Sequence, residues 1–186
     1  SAIELPEWYD VRKEIKSIVM EEGVTSVGTA AFQFTENLAE VKFPKSLEKL
    51  SWYAFYGTGL KNLVIPETIK SICVKAFAKS ALESVTLPKN INSVAFSKPT
   101  YDCSHAWFDG CTKLHTVVIQ KGEKNLEASD LFNRCSSLKK VTVPDGVEYI
   151  DPSFFAGSGI EEIYLPASLK SFGVFAAFYG CENIKK

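Results

Sequence analysis

The amino-acid sequence predicts a repeat solenoid, mainly β with short helical turns, of about seven coils. Three observations carry that expectation. A strand-like template recurs as Leu38-x-x-Val41-x-Phe43-Pro44, Leu60-x-x-Leu63-x-Ile65-Pro66, Leu82-x-x-Val85-x-Leu87-Pro88, Leu138-x-x-Val141-x-Val143-Pro144 and Ile160-x-x-Ile163-x-Leu165-Pro166, and without its proline at Ile15/Ile18/Met20 and Leu114/Val117/Ile119. A phenylalanine closes every copy, at Phe32, Phe55, Phe77, Phe108, Phe132, Phe155 and Phe178. The 186 residues are 46% hydrophobic, which suffices for a sizeable core in one domain. A coil of about 22 residues cannot enclose its own apolar face, so neighbouring coils must stack.

The elements follow in chain order. Residues 1–14, with Trp8, Tyr9 and Val11, precede the first copy and are expected to cap its open edge, leaving 15–186 as the repeat domain. Val11, Ile15, Ile18 and Val19 also fit one face of a helix. The downstream Val24, Val27, Gly28 and Phe32 keep repeat register and favour a strand over 15–20. Alternation such as Val41-Lys42-Phe43 is the pattern of a short strand with one buried face, and a proline suits its end because it cannot donate to an internal ladder. A second apolar pair three residues apart follows, as in Leu47/Leu50, Ile69/Ile72, Ile91/Val94, Val147/Ile150 and Leu169/Phe172, and predicts a second strand in each coil. Ala31, Ala54, Ala76 and Ala177 each precede the phenylalanine, and Gly57, Gly110, Gly157 and Gly180 stand two residues after it. That arrangement predicts a brief helical turn stopped by glycine.

Two copies depart from the template. Leu82 and Leu114 are 32 positions apart, and the excess of about nine residues falls within 95–107, a segment that holds Phe96, Lys98, Pro99, Tyr101, Asp102, Cys103, His105 and Trp107. In the next copy Gln120-Lys121-Gly122-Glu123 replaces the proline and an apolar residue, and Glu123 cannot take a core slot as an unpaired charge. Adjacent coils touch, so the two irregularities are expected to be neighbours. Ile184-Lys185-Lys186 opens an eighth copy, as expected of a chain trimmed from a longer array or covered at that end by something else.

The prolines, the Ala-Phe pairs, Gly28, Gly173 and the Gly-Cys steps at Gly110-Cys111 and Gly180-Cys181 recur together over about residues 15–184. In this the chain resembles the BspA-like leucine-rich repeat family. The resemblance implies a right-handed leucine-rich-repeat array in a surface-exposed bacterial or protist protein, used for adhesion or ligand binding at the cell surface or outside the cell. It implies no enzyme, since the family has no shared catalytic residue.

Chemistry is scarce. With 21 Lys+Arg against 22 Asp+Glu and a net charge of -1, the chain offers neither a nucleic acid nor an anionic membrane a basic block. No apolar run reaches membrane-spanning length, and Ser1-Ala2-Ile3-Glu4 does not begin a signal peptide, so any such signal is expected to be already removed. Cys111, Cys135 and Cys181 sit three residues after the repeat phenylalanine, where other copies have Thr35, Thr58, Ser80 and Ser158. They read as small buried side chains, as does Cys73 at the position of Gly28, although Cys111 and Cys135 on adjacent coils leave a disulfide open. With only His105 and His115, and no phosphate-binding glycine loop, a histidine-based catalytic or metal site is not expected, nor any cofactor. Cys103-Ser104-His105 is adjacent in sequence, which is not the geometry of a nucleophile and its base.

Binding residues are sought on two surfaces. On the first sheet, Val19, Lys42, Val64, Thr86, Val118, Thr142 and Tyr164 are expected to form one outward column and Ser17, Glu40, Asn62, Ser84, Thr116, Lys140 and Glu162 another. Loops that leave a repeat array commonly carry its function, so the insertion is the preferred site, through Phe96, Lys98, Tyr101, Asp102, His105 and Trp107, with Lys121 beside it and Tyr164 on the sheet. The function expected is a non-catalytic adhesion module for a protein or glycan. The competing reading is a structural spacer within a larger surface protein.

Overall fold

The computed structural model describes residues 7–95, 105–151, 153–172 and 178–184. It is a stack of parallel coils. The seven expected first strands are all present: β1 (Ser17–Val19), β3 (Glu40–Lys42), β5 (Asn62–Val64), β7 (Ser84–Thr86), β8 (Thr116–Val118), β10 (Lys140–Thr142) and β12 (Glu162–Tyr164). They pair in parallel as β1-β3, β5-β7-β8 and β10-β12, with like template positions opposite one another: Ile18 faces Val41, Leu63 faces Val85, Val85 faces Val117 and Val141 faces Ile163. A second side holds β2 (Ser26–Val27), β4 (Lys49–Leu50) and β6 (Ser71–Ile72) in one sheet, and β9 (Asn125–Leu126), β11 (Tyr149–Ile150) and β13 (Ser171–Phe172) in another. With β1 in place, repeat register decides the ambiguous start in favour of a strand, and among the described residues the only helical piece before it is the single turn Glu7–Tyr9.

Proline makes the corner between the two sides. The carbonyls of Pro44, Pro66, Pro144 and Pro166 each accept from the N–H three residues on, which folds Leu47, Ile69, Val147 and Leu169 inward. The fourth coil differs from the sequence expectation. Where Ile91 and Val94 predicted a strand, there is a short helix α1 (Ile91–Ala95), with Val94 N–H donating to Asn90. Both side chains stay buried, because a spacing of three serves one face of a helical turn as well as the inward corner of a coil. Losing the strand leaves β9 at a sheet edge. The Asn92 amide covers it, donating to the Asn125 carbonyl at 2.7 Å and accepting from Glu127 N–H at 3.1 Å. Those backbone groups flank Leu126, as the partners of one paired residue do in a parallel ladder.

The turn after each second strand is tighter than a helix. Gln33 donates to Ala30 and Thr35 to Phe32, each an i to i+3 bond, while Ala30, Phe32 and Phe34 donate across to Trp52, Ala54 and Tyr56 of the next coil. Left-handed backbone two residues before and two after the phenylalanine (Ala30, Tyr53, Lys75, Ala106 and Asp130; Phe34, Gly57, Lys79, Gly110, Arg134, Gly157 and Gly180) prevents a helix from continuing. The ladder of hydrogen bonds between coils therefore runs on through the turns.

One aromatic column passes through all seven coils. Phe32, Phe55, Phe77, Phe108, Phe132, Phe155 and Phe178 stack with centroids 5.3 to 6.0 Å apart and planes within 23°. Coils rise by about 4.8 Å, so each ring is offset from its neighbour, the arrangement that aromatic quadrupoles favour. Trp8 extends the column by stacking on Phe32 at 6.0 Å, and its Nε1 donates to the Ala31 carbonyl. Asn37 ties the same segment down by donating to the Lys13 carbonyl.

Candidate binding surface

Phe96, Lys98, Tyr101, Asp102 and Cys103 lie outside the described residues, which leaves two members of the proposed loop site to place. Trp107 is a correction to the sequence reading. It is fully buried, its Nε1 donates to the Ile72 carbonyl at 3.2 Å, and its ring packs edge-on against Phe108. It is core rather than contact surface, for the insertion returns to the stack before it and not after. His105 is half-buried at the insertion's return, where its Nδ1 accepts from Ser129 N–H at 2.9 Å on the next coil. The two irregular coils thus meet through His105–Ser129 and through Asn92–Asn125. Lys121 is exposed and ion-paired to Asp145. Gln120 replaces the corner proline and donates to the Leu87 carbonyl and the Glu67 carboxylate.

The first sheet presents its columns as expected. Inward residues Leu63, Val85 and Val141 are buried, whereas Val19, Val64, Val118 and Tyr164 stand 46 to 66% exposed. Tyr164 is bracketed by charges, with its hydroxyl toward Glu162 and Lys140 Nζ 4.5 Å above its ring. Most ion pairs join adjacent coils: Lys61–Glu83, Lys70–Glu48, Lys139–Glu161, Lys140–Glu162 and Lys170–Glu148. This ladder escaped the sequence reading, yet it was legible as opposite charges 22 positions apart.

A third surface was also missed. Two residues after the repeat phenylalanine, the left-handed position alternates between a large side chain and glycine over six coils: Phe34, Gly57, Lys79, Gly110, Arg134, Gly157. Phe34 and Lys79 lean over the next coil's glycine, while the Arg134 guanidinium turns back to Asp109 and Asn133 covers Gly157. A Cβ on Gly57 would come within 2.9 Å of the Phe34 ring, and one on Gly110 within 3.3 Å of Lys79. Between them stand Tyr56, edge-on to Phe34 at 5.4 Å and 5.8 Å beneath Lys79 Nζ, and Asp109, buried and held by the Arg134 guanidinium through two hydrogen bonds. A bulky residue in left-handed backbone is uncommon and strained, so these three positions support exposed side chains at a cost in stability.

Beneath this row lies the small-residue column. Thr35, Thr58 and Ser80 donate to the phenylalanine carbonyl of their own coil, while Cys111, Cys135 and Cys181 donate to that of the coil before. Burial pushes the Cys111 thiol up to about 11 and the Cys135 thiol higher still. Cys73, Cys111, Cys135 and Cys181 are free thiols. Among the described residues no group of three or more His, Cys, Asp or Glu is placed to hold a metal ion, and no helix is long and apolar enough to cross a membrane.

Comparison with known proteins agrees with this geometry. The profile of the BspA type leucine rich repeat region, written as six copies, matches residues 7–100 and again 89–185. The chain belongs to this family. Leucine-rich repeat membership accounts for the stacked parallel strands and the aligned apolar positions. Among solved structures, a leucine-rich repeat protein from Bacteroides ovatus is 26% identical with a TM-score of 0.63, over 91% of this chain and 48% of that one. The pneumococcal vaccine antigen PcpA is 29% identical with a TM-score of 0.52, over 92% of this chain and 44% of the other. The Treponema pallidum leucine rich repeat protein shares the fold at 21% identity and a TM-score of 0.52, over 94% and 67% of the two chains. The chain thus spans about half the length of the first two. A search of curated proteins found no match.

Proposed function

We propose that this leucine-rich repeat chain is a non-catalytic binding module of a cell-surface or extracellular protein, which engages a protein or glycan through the outer face of the first sheet and the 95–107 insertion. Residues 1–14 act as its N-terminal cap and 15–186 as one repeat domain. The observation that carries the reading is the in-register sheet face, where Val19, Val64, Val118 and Tyr164 stay exposed on a frame whose other large apolar side chains are mostly buried. Exposed aliphatic and tyrosine side chains on a rigid support lose little entropy on binding, which is what an interaction surface needs. The pneumococcal vaccine antigen PcpA, by its description as an antigen, lends support to a surface location.

A screen of the purified chain against host-surface proteins and a glycan array tests this. For a partner found, Tyr164→Ala is expected to weaken binding by about tenfold, the usual effect of truncating a central aromatic contact. Tyr101→Ala and deletion of 97–104 report on the insertion. Binding indifferent to all three variants would overturn the assignment, and a chain that binds nothing in the screen would favour a spacer.

A further inference from the structure

A groove of about 290 Å³ opens where the phenylalanine turns of the first four coils lead into the first sheet. Its lining combines Gly57, Gly59, Gly110 and Ala81 with Glu36, Lys79, Thr112 and Lys113. The Phe34 and Lys79 side chains lean over the left-handed Gly57 and Gly110 of this lining. Phe34, 44% exposed, stands at the groove's edge over Gly57, and Tyr56 lies outside the lining, beneath Lys79 Nζ at 5.8 Å.

Charge decides the class of occupant. Glu36, the one carboxylate of the lining, is already paired with Lys13 at 3.6 Å. Lys79 and Lys113 have no carboxylate partner among the described residues, although neighbouring lysines are paired from coil to coil. Two unneutralised ammonium groups with an exposed aromatic ring at the groove's edge match a hydroxylated pyranose that carries one carboxylate and offers a C–H face to the ring. The volume lies at the lower end of small-molecule sites, of about 300 to 1,000 Å³, and admits one such ring rather than a length of chain.

We propose that this groove binds an acidic sugar residue of a glycan, its carboxylate held by Lys79 and Lys113 and its ring reaching Phe34 at the groove's edge. A uronic acid and a sialic acid share this chemistry. Tyr164 is not part of this lining, so the site stands or falls independently of the sheet face proposed above.

The test is an amide chemical-shift titration of the full chain with galacturonic acid, sialic acid, galactose, acetate and a tetraglutamate peptide. Either acidic sugar is expected to give saturable shifts around residues 36, 57–59, 79–81 and 110–113. Galactose and acetate should bind at least about tenfold more weakly, each lacking one half of the recognition. Lys113→Glu and Lys79→Ala should each weaken the acidic sugar about fivefold or more, whereas Lys170→Ala, at an exposed lysine outside the lining, leaves it unchanged. Response to one acid and not the other identifies the source within the same chemistry. No saturable shift with either, equal binding of galactose or acetate, or tighter binding of tetraglutamate would overturn the proposal.

Discussion

Burial raises the Cys111 thiol from its ordinary value of 9.0 to about 11, and the sign of the resulting pH dependence follows. Below pH 9 the thiol keeps its proton in both states. Between 9 and 11 the unfolded chain releases a proton that the folded chain retains, so stability falls as pH rises through that window, by on the order of 2 kcal/mol for this one group. Cys111→Ser should flatten the fall, because serine already occupies the same column at Ser80 and Ser158. Urea midpoints measured across this window check it, and equal pH dependence in the two proteins would show that the thiol does not titrate on unfolding. Alkylation of the folded protein near pH 8 should spare Cys111 and Cys135, since thiolate is the reactive form.

The glycines teach a related lesson about single residues. Gly28 belongs to the recurring template, yet a Cβ there meets nothing and its backbone is not left-handed. Gly59 and Gly159 drew no attention in the sequence, but a Cβ on either would overlap a backbone carbonyl, of Glu36 and of Ser136 respectively. Both stand where a one-residue link to the next strand crosses a two-residue link in the coil before. Gly159→Ala should therefore lower stability by roughly 1–3 kcal/mol, with Gly28→Ala within about 0.5 kcal/mol of the parent. Recurrence marked the first glycine and contact geometry the others, a distinction that spacing within one coil does not contain.

At the scale of elements, the period fixes which residues face in and the local sequence fixes how the backbone gets there. Leading strands, proline corners and the phenylalanine column were legible because each needs only its own coil plus stacking. Helix α1 was not, since Ile91 and Val94 satisfy a strand corner and a helical turn equally, and the choice rests on Asn92 meeting β9 on the next coil. Asn92→Ala should cost about 1–3 kcal/mol by leaving the Asn125 carbonyl and Glu127 N–H without their partner, and should speed amide exchange at Glu127. Unchanged exchange there would mean that water replaces the amide without loss. Phe77→Ala is expected to cost about 3–5 kcal/mol, because rings stacked above and below at 5.4 and 5.8 Å hold the cavity open.

For the whole molecule, coils touch only their neighbours, so stability is a sum of coil and interface contributions and local opening grades along the array. The two ends are unlike. Trp8 covers Phe32 at the first coil, whereas at the last described coils Leu165, Phe172 and Tyr179 remain exposed. Hydrogen exchange should accordingly be slowest in the third to fifth coils, at amides such as Phe77, Phe108 and Leu114, and fastest around β13. Trp8→Ala removes the stacked ring and the bond to Ala31 together. It should speed exchange at Phe32 and Phe34, whose amides bond to the second coil, and leave Phe108 and Arg134 untouched. A loss of protection spread evenly over all coils would instead show that the array opens as one cooperative unit, with the Trp8 segment holding the entire stack and not merely its first rung.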